Sequence, residues 1–141
     1  MLALVVGAWI ARPAAQEPAA GVFTKAQADA GRATYNTSCA TCHRPDLGGR
    51  DEEPQLAGDD FLGAWKTRKA SELYEFIHAT MPPEGPTLSP DQALGLVAFI
   101  LQENGATPGE TALSATTAAT IGSVAPGKRP GPLVAVHGAA I

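Results

Sequence analysis

Two thiols and an imidazole fall within five residues, Cys39-Ala40-Thr41-Cys42-His43, and the 141-residue chain has no other cysteine. In a Cys-x-x-Cys-His run each thiol can form a thioether to a haem vinyl group, and the adjacent histidine is then placed beneath the iron as an axial ligand. A bare Cys-x-x-Cys also serves as a thioredoxin-like redox pair, as half of a zinc site, or as a surface disulfide. Structural zinc takes four protein ligands, whereas this chain has no second cysteine pair, and His78 and His137 lack the short spacing that zinc sites favour. A redox pair opens a helix just after a strand, and no Val/Ile-rich strand precedes Cys39. The residues favour one covalent haem, with a dithiol as the rival.

Met81-Pro82-Pro83 is the second stretch with chemistry in it, because Met81 is the sole methionine after Met1. A thioether on a proline-locked loop suits the sixth position of haem iron: it is soft, neutral and favours the ferrous state. A lone methionine can equally fill a gap in a core. The haem motif upstream tips the reading towards ligation. His78 competes as a donor, but it falls inside a predicted helix and Met81 falls on the loop beyond it.

Helices must position these groups. Thr24-Lys25-Ala26-Gln27 fits a capping box, and a helix from there to about Thr37 puts Ala28, Gly31 and Tyr35 on one face. Glycine inside a helix costs roughly 1 kcal/mol relative to alanine, so Gly31 calls for the close approach of another helix backbone. Residues 44–60 are rich in Pro, Gly and Asp and read as a loop with a solvated acidic tip at Asp51-Glu52-Glu53. Asp59-Asp60 can cap a short helix through Phe61, Leu62 and Trp65, and Ser71 can cap the next, with Leu73, Phe76 and Ile77 on one side. Ser89-Pro90-Asp91-Gln92 starts the last helix, nearly all apolar from Ala93 to Leu101 and therefore covered on more than one side; Asn104-Gly105 ends it.

Residues 1–20 contain an apolar run, Leu2 to Ala11, that is too short to span a bilayer and reads as an export leader. Residues 21–105 form the domain, roughly 85 residues, a size at which a polypeptide core alone is marginal and a buried haem would add contact area. From residue 106 to 141 the texture turns to Ala, Thr, Gly, Ser and Pro and reads as a disordered tail or linker. The net charge of −4 argues for neither nucleic acid nor an anionic membrane surface.

With Cys39 to His43 near one end, Met81-Pro82 some way on, and helices at both ends, residues 23–105 resemble the class I c-type cytochromes. Pro54-Gln55-Leu56-Ala57-Gly58 and Met81-Pro82-Pro83 look, more narrowly, like the cytochrome domains associated with quinoprotein dehydrogenases. The resemblance implies an all-α fold of about four helices around one covalent haem c, with His43 and Met81 on the iron. It implies that the Pro54 carbonyl accepts the His43 N–H, that Leu56 and Trp65 also border the haem, and that Gly31 and Tyr35 meet Leu96 and Phe99. The expected role is a periplasmic electron carrier, not an enzyme. Its redox partners would be a dehydrogenase donor and an oxidase or cytochrome acceptor, with no stable membrane insertion of the mature chain. A peroxidase-like enzyme with an open sixth site and a dithiol oxidoreductase are the alternatives.

Overall fold

A threonine hydroxyl and a glutamine amide begin the first helix. In the computed structural model, which describes residues 21–128, Thr24 Oγ1 accepts from the Gln27 amide and Gln27 Oε1 accepts from the Thr24 amide, each at 3.2 Å. Helix α1 then runs Lys25–Ser38. Phe23 and Ala28, the positions of a hydrophobic staple on either side of this cap, are both fully buried. The leader read over residues 1–20 and the apolar run Leu133 to Val136 lie outside the described residues.

After α1 come a single turn α2 (Ala40–His43), then α3 (Asp59–Trp65), α4 (Ala70–Thr80), α5 (Pro90–Glu103) and a last turn α6 (Ile121–Val124). Among the described residues the only extended pairing is an antiparallel bridge between Lys69 and Thr120. The fold is therefore all-α, with four longer helices and two single turns. Helix α5 opens on the expected box of Ser89 and Gln92. It buries Ala93 and every residue from Gly95 to Leu101, so neighbours cover it all round.

Helices α1 and α5 cross backbone to backbone. A Cβ placed on Gly31 would lie 1.8 Å from the Gly95 carbonyl oxygen, so nothing larger than hydrogen fits between the two helices there. Gly31 thus has the close contact its position called for, first with the Gly95 carbonyl and then with the Leu96 amide nitrogen, 2.9 Å from the same Cβ. One turn on, the Tyr35 and Phe99 rings meet at 5.3 Å between centroids, tilted by 54°. Arg32 lies over the Phe99 ring at 4.9 Å and bonds Glu103 at 3.1 Å, tying the two helices at the surface.

Two helix starts differ from expectation. Helix α4 is capped at Lys69 and not at Ser71: the Lys69 amide donates to the Glu72 carboxylate at 2.8 Å. That bond, helped by Arg68, holds the Glu72 carboxyl below its ordinary range. Asp59 and Asp60 sit in the first turn of α3 behind Gly58, without capping it.

The larger correction concerns the expected tail. Residues 106–127 form a strap folded onto the domain, with Ala106, Leu113, Ile121 and Ala125 buried. Gln27 Nε2 donates to the Leu113 carbonyl at 2.9 Å, and the Leu113 amide donates back to Gln27 Oε1 at 2.7 Å. Farther on, the Ile121 and Gly122 amides donate to the Arg68 and Lys66 carbonyls at 2.9 and 2.8 Å. In the other direction the Ala70 and Ser71 amides donate to the Ala119 and Thr117 carbonyls at 2.9 and 3.1 Å. A helix leaves its first amides without internal partners, and the strap supplies them for the first two amides of α4. A low-complexity composition conceals this order because a few spaced anchors and main-chain hydrogen bonds hold the segment, with no apolar periodicity.

Candidate functional site

One helical turn gathers the three donor side chains. The His43 amide donates back to the Cys39 carbonyl at 2.9 Å and closes the turn of α2. Residues at i, i+3 and i+4 share a helical face, so Cys39, Cys42 and His43 border the same space. Cys39 is half-buried, Cys42 is exposed and His43 is buried. His43 Nδ1 lies 2.9 Å from the Pro54 carbonyl oxygen. A carbonyl can only accept, so Nδ1 is the donor, and in the neutral ring the lone pair is on Nε2. Burial, with the Cys42 sulfur nearby, pushes the Cys39 thiol up to about 11.

Main-chain geometry after the motif is fixed from α1. The Tyr35 hydroxyl donates to the Arg44 carbonyl at 2.6 Å. Burial, and to a lesser degree Cys39 and Asp46, hold that hydroxyl protonated well above the usual range of a phenol. Arg44 and Leu47 both adopt positive φ, 69° and 59°, which is uncommon for residues with side chains. The reversal lets the Leu47 carbonyl accept from the Leu56 amide at 2.9 Å. Residues 54–57 are thereby brought back beside His43.

These elements enclose a largely apolar cavity of about 910 Å³, its open mouth included. Leu73, Phe76 and Ile77 of α4 line it, as do Phe61 and Ala64 of α3, and Leu96 and Ile100 of α5. All seven residues singled out in the sequence, Cys39, Cys42, His43, Pro54, Leu56, Trp65 and Met81, border this one space. His78 does not line it: its ring stacks on Tyr74 with centroids 5.4 Å apart. Trp65 is held in a row of rings, 6.4 Å from Phe61 and 5.6 Å from Phe76, with the Arg68 guanidinium 4.3 Å over it. The Met81 amide donates to the Ile77 carbonyl at 2.9 Å, which sets where the loop leaves α4.

Sequence reading missed Asn104, Gln55 and Phe61. Gln55 lines the cavity and its Oε1 accepts from the Asp60 amide at 3.1 Å, while Phe61 is a buried wall. Asn104 is fully buried; Oδ1 accepts from the Gly58 amide, and Nδ2 donates to the Leu56 and Ile100 carbonyls, all at 2.9 Å. An asparagine after a helix is an ordinary stop signal, and its spacing does not distinguish a stop from a clamp.

The donor set limits what the cavity can hold. Among the described residues no group of three or more His, Cys, Asp or Glu side chains could bind a bare metal ion. The lining offers one imidazole, one thioether and two thiols that do not form such a group, so a metal held here must bring ligands of its own. A haem brings four nitrogens and an apolar perimeter suited to these walls, and its vinyl groups match the two thiols.

Residues 26–100 match the family described as "Cytochrome C oxidase, cbb3-type, subunit III". Among individually curated proteins none matches. Among solved structures the chain is similar to the sulfane dehydrogenase SoxCD from Paracoccus pantotrophus: 24% identity over 91% of this chain and 69% of that one, TM-score 0.48. It is also similar to the thiosulfate dehydrogenase TsdBA from Marichromatium purpuratum, with 29% identity over 51% of this chain and 17% of that one, TM-score 0.45. Cytochrome CL from the marine methylotroph Methylophaga aminisulfidivorans MPT gives 20% identity over 62% and 70%, TM-score 0.43. Since the family match takes in more than half of the chain and every cavity-lining residue from Tyr35 to Ile100, the chain belongs to the c-type cytochrome family of that description, whose cofactor is haem c.

Proposed function

We propose that this chain is an exported, periplasmic one-electron carrier, with one haem c joined through Cys39 and Cys42 and its iron held by His43 and Met81. The observation that carries the reading is the convergence of two thiols, a tautomer-fixed imidazole and a thioether on one apolar cavity. Haem in that position would supply a one-electron iron couple. The chain's own residues do the rest. The Pro54 carbonyl keeps the proton on Nδ1 and makes Nε2 the more basic donor. The walls from α3, α4 and α5 exclude water, and Trp65, locked by its neighbours, closes part of the rim.

With both His43 and Met81 engaged, no open position is left for a substrate, which fits a relay and not bond chemistry. Partners would be a dehydrogenase donor and an oxidase or cytochrome acceptor, meeting the cavity mouth through a small, transient interface. Exposed Cys42 and Phe76 both border that cavity. The dithiol alternative is disfavoured by Cys39, since a redox pair needs a thiol lowered in pKa and burial raises this one.

A visible spectrum and an intact mass of protein from a host with haem-maturation machinery test the proposal. The product should be coloured, heavier by one haem, and silent to alkylating reagents, and its oxidised form should show a thioether-to-iron charge-transfer band that Met81→Ala removes. Two alkylatable thiols would eliminate the attachment. Survival of the band in Met81→Ala would eliminate the sulfur ligand, and a high-spin ferric spectrum with peroxide turnover would install the peroxidase-like alternative.

A further inference from the structure

We propose that Asn104 is a positioning residue for the His43 imidazole, acting through residues 54–58 to set the Nδ1–H bond and hence the balance between oxidised and reduced iron. This rests on the reading of His43 as an axial ligand. The side chain is a bridge with two ends. One Nδ2 hydrogen grips the Ile100 carbonyl of α5, and the other grips the Leu56 carbonyl, each at 2.9 Å. Oδ1 takes the Gly58 amide, also at 2.9 Å. The two loop contacts fall two and four residues after Pro54, whose carbonyl meets His43 Nδ1. On its other side the same loop is held at Leu47, whose carbonyl accepts from Leu56 and Ala57 at 2.9 and 3.4 Å. Pro54 has no amide hydrogen of its own to anchor it. Asn104 therefore supplies the link between the rigid body of α5 and the acceptor that orients the ring.

Asn104 is fully buried, so removing its amide leaves the Gly58 amide and the Leu56 and Ile100 carbonyls without the side chain that ties them together. A well-aligned carbonyl at Nδ1 makes the ring a more basic donor, and a more basic donor favours ferric iron. Loosening the loop therefore shifts the couple towards the ferrous state.

The test uses the haem-loaded full chain and compares Asn104→Ala with Leu113→Ala, a strap substitution chosen to lower the melting temperature without touching residues 54–58. Asn104→Ala should raise the ferrous-to-ferric ratio at the wild-type midpoint severalfold. It should also speed solvent exchange of the His43 Nδ1 proton, read by NMR in the ferrous state. Leu113→Ala should move neither. Should Asn104→Ala not accumulate, Asn104→Ser, too short to span both carbonyls, carries the same expectation. An unchanged midpoint and exchange rate in the Asn104 variant, or equal changes in Leu113→Ala, overturns the positioning role. A haem spectrum indifferent to His43→Ala overturns the ligation reading itself and this proposal with it.

Discussion

Cys39 and Cys42 share one motif but not one environment: the first is half-buried at the end of α1 and the second faces solvent. The reactive form of a thiol is its anion, and burial raises Cys39 to about 11 from an ordinary 9.0. In chain produced without haem, alkylation of Cys39 at pH 8 should therefore be about a hundredfold slower than that of an ordinary thiol. The deficit should close as the pH approaches 11, as site-resolved mass spectrometry would report; an ordinary thiol rate at Cys39 at pH 8 would contradict the burial. The sign for stability follows. Because the folded value is raised, the part of the haem-free fold's stability that Cys39 contributes, fully present below pH 9, should be lost as pH rises through about 11. At this scale the motif and Met81 were legible as an exact local spacing and a rare residue type, and Pro54 only through the family resemblance. Asn104 was not, because its role depends on which carbonyls a distant loop brings to it.

At the scale of helices, the crossing of α1 and α5 yields an asymmetric expectation. Gly31→Ala drives a methyl group into the Gly95 backbone at 1.8 Å and should cost about 3 kcal/mol or more. Gly95→Ala meets its nearest atom at 3.1 Å. It crowds three α1 backbone atoms at 3.1–3.2 Å but gains helix propensity, so it should cost clearly less than Gly31→Ala. Denaturant midpoints of the haem-loaded variants check both, and equal losses would mean that the helices do not cross as described. The apolar spacing of Leu73, Phe76 and Ile77 was readable from sequence, and all three line the cavity. The start of α4 was misread because its first amides find acceptors in Thr117 and Ala119. Local capping signals contain no information about partners so far along the chain.

For the molecule as a whole, the strap turns a helical domain into a belted one. Leu113 and Ile121 are its largest buried anchors, and truncating either to alanine should cost about 2–4 kcal/mol in thermal unfolding. A loss under about 0.5 kcal/mol for both would mean that the segment is detached in solution. Composition had assigned this stretch to disorder, since small polar residues ordinarily cannot bury enough apolar surface to order a chain. The ends of the strap lie together: the Gly127 amide donates to the Asn104 carbonyl at 3.0 Å, and a Cβ on Gly105 would come within 2.5 Å of the Gly127 oxygen. Such a segment can lift away and reseat as one piece while the helices stay put, because both of its feet stand on the same spot. Deuterium uptake at Ala70, Ser71, Ile121 and Gly122 should accordingly advance in step, ahead of the amides in the middle of α5.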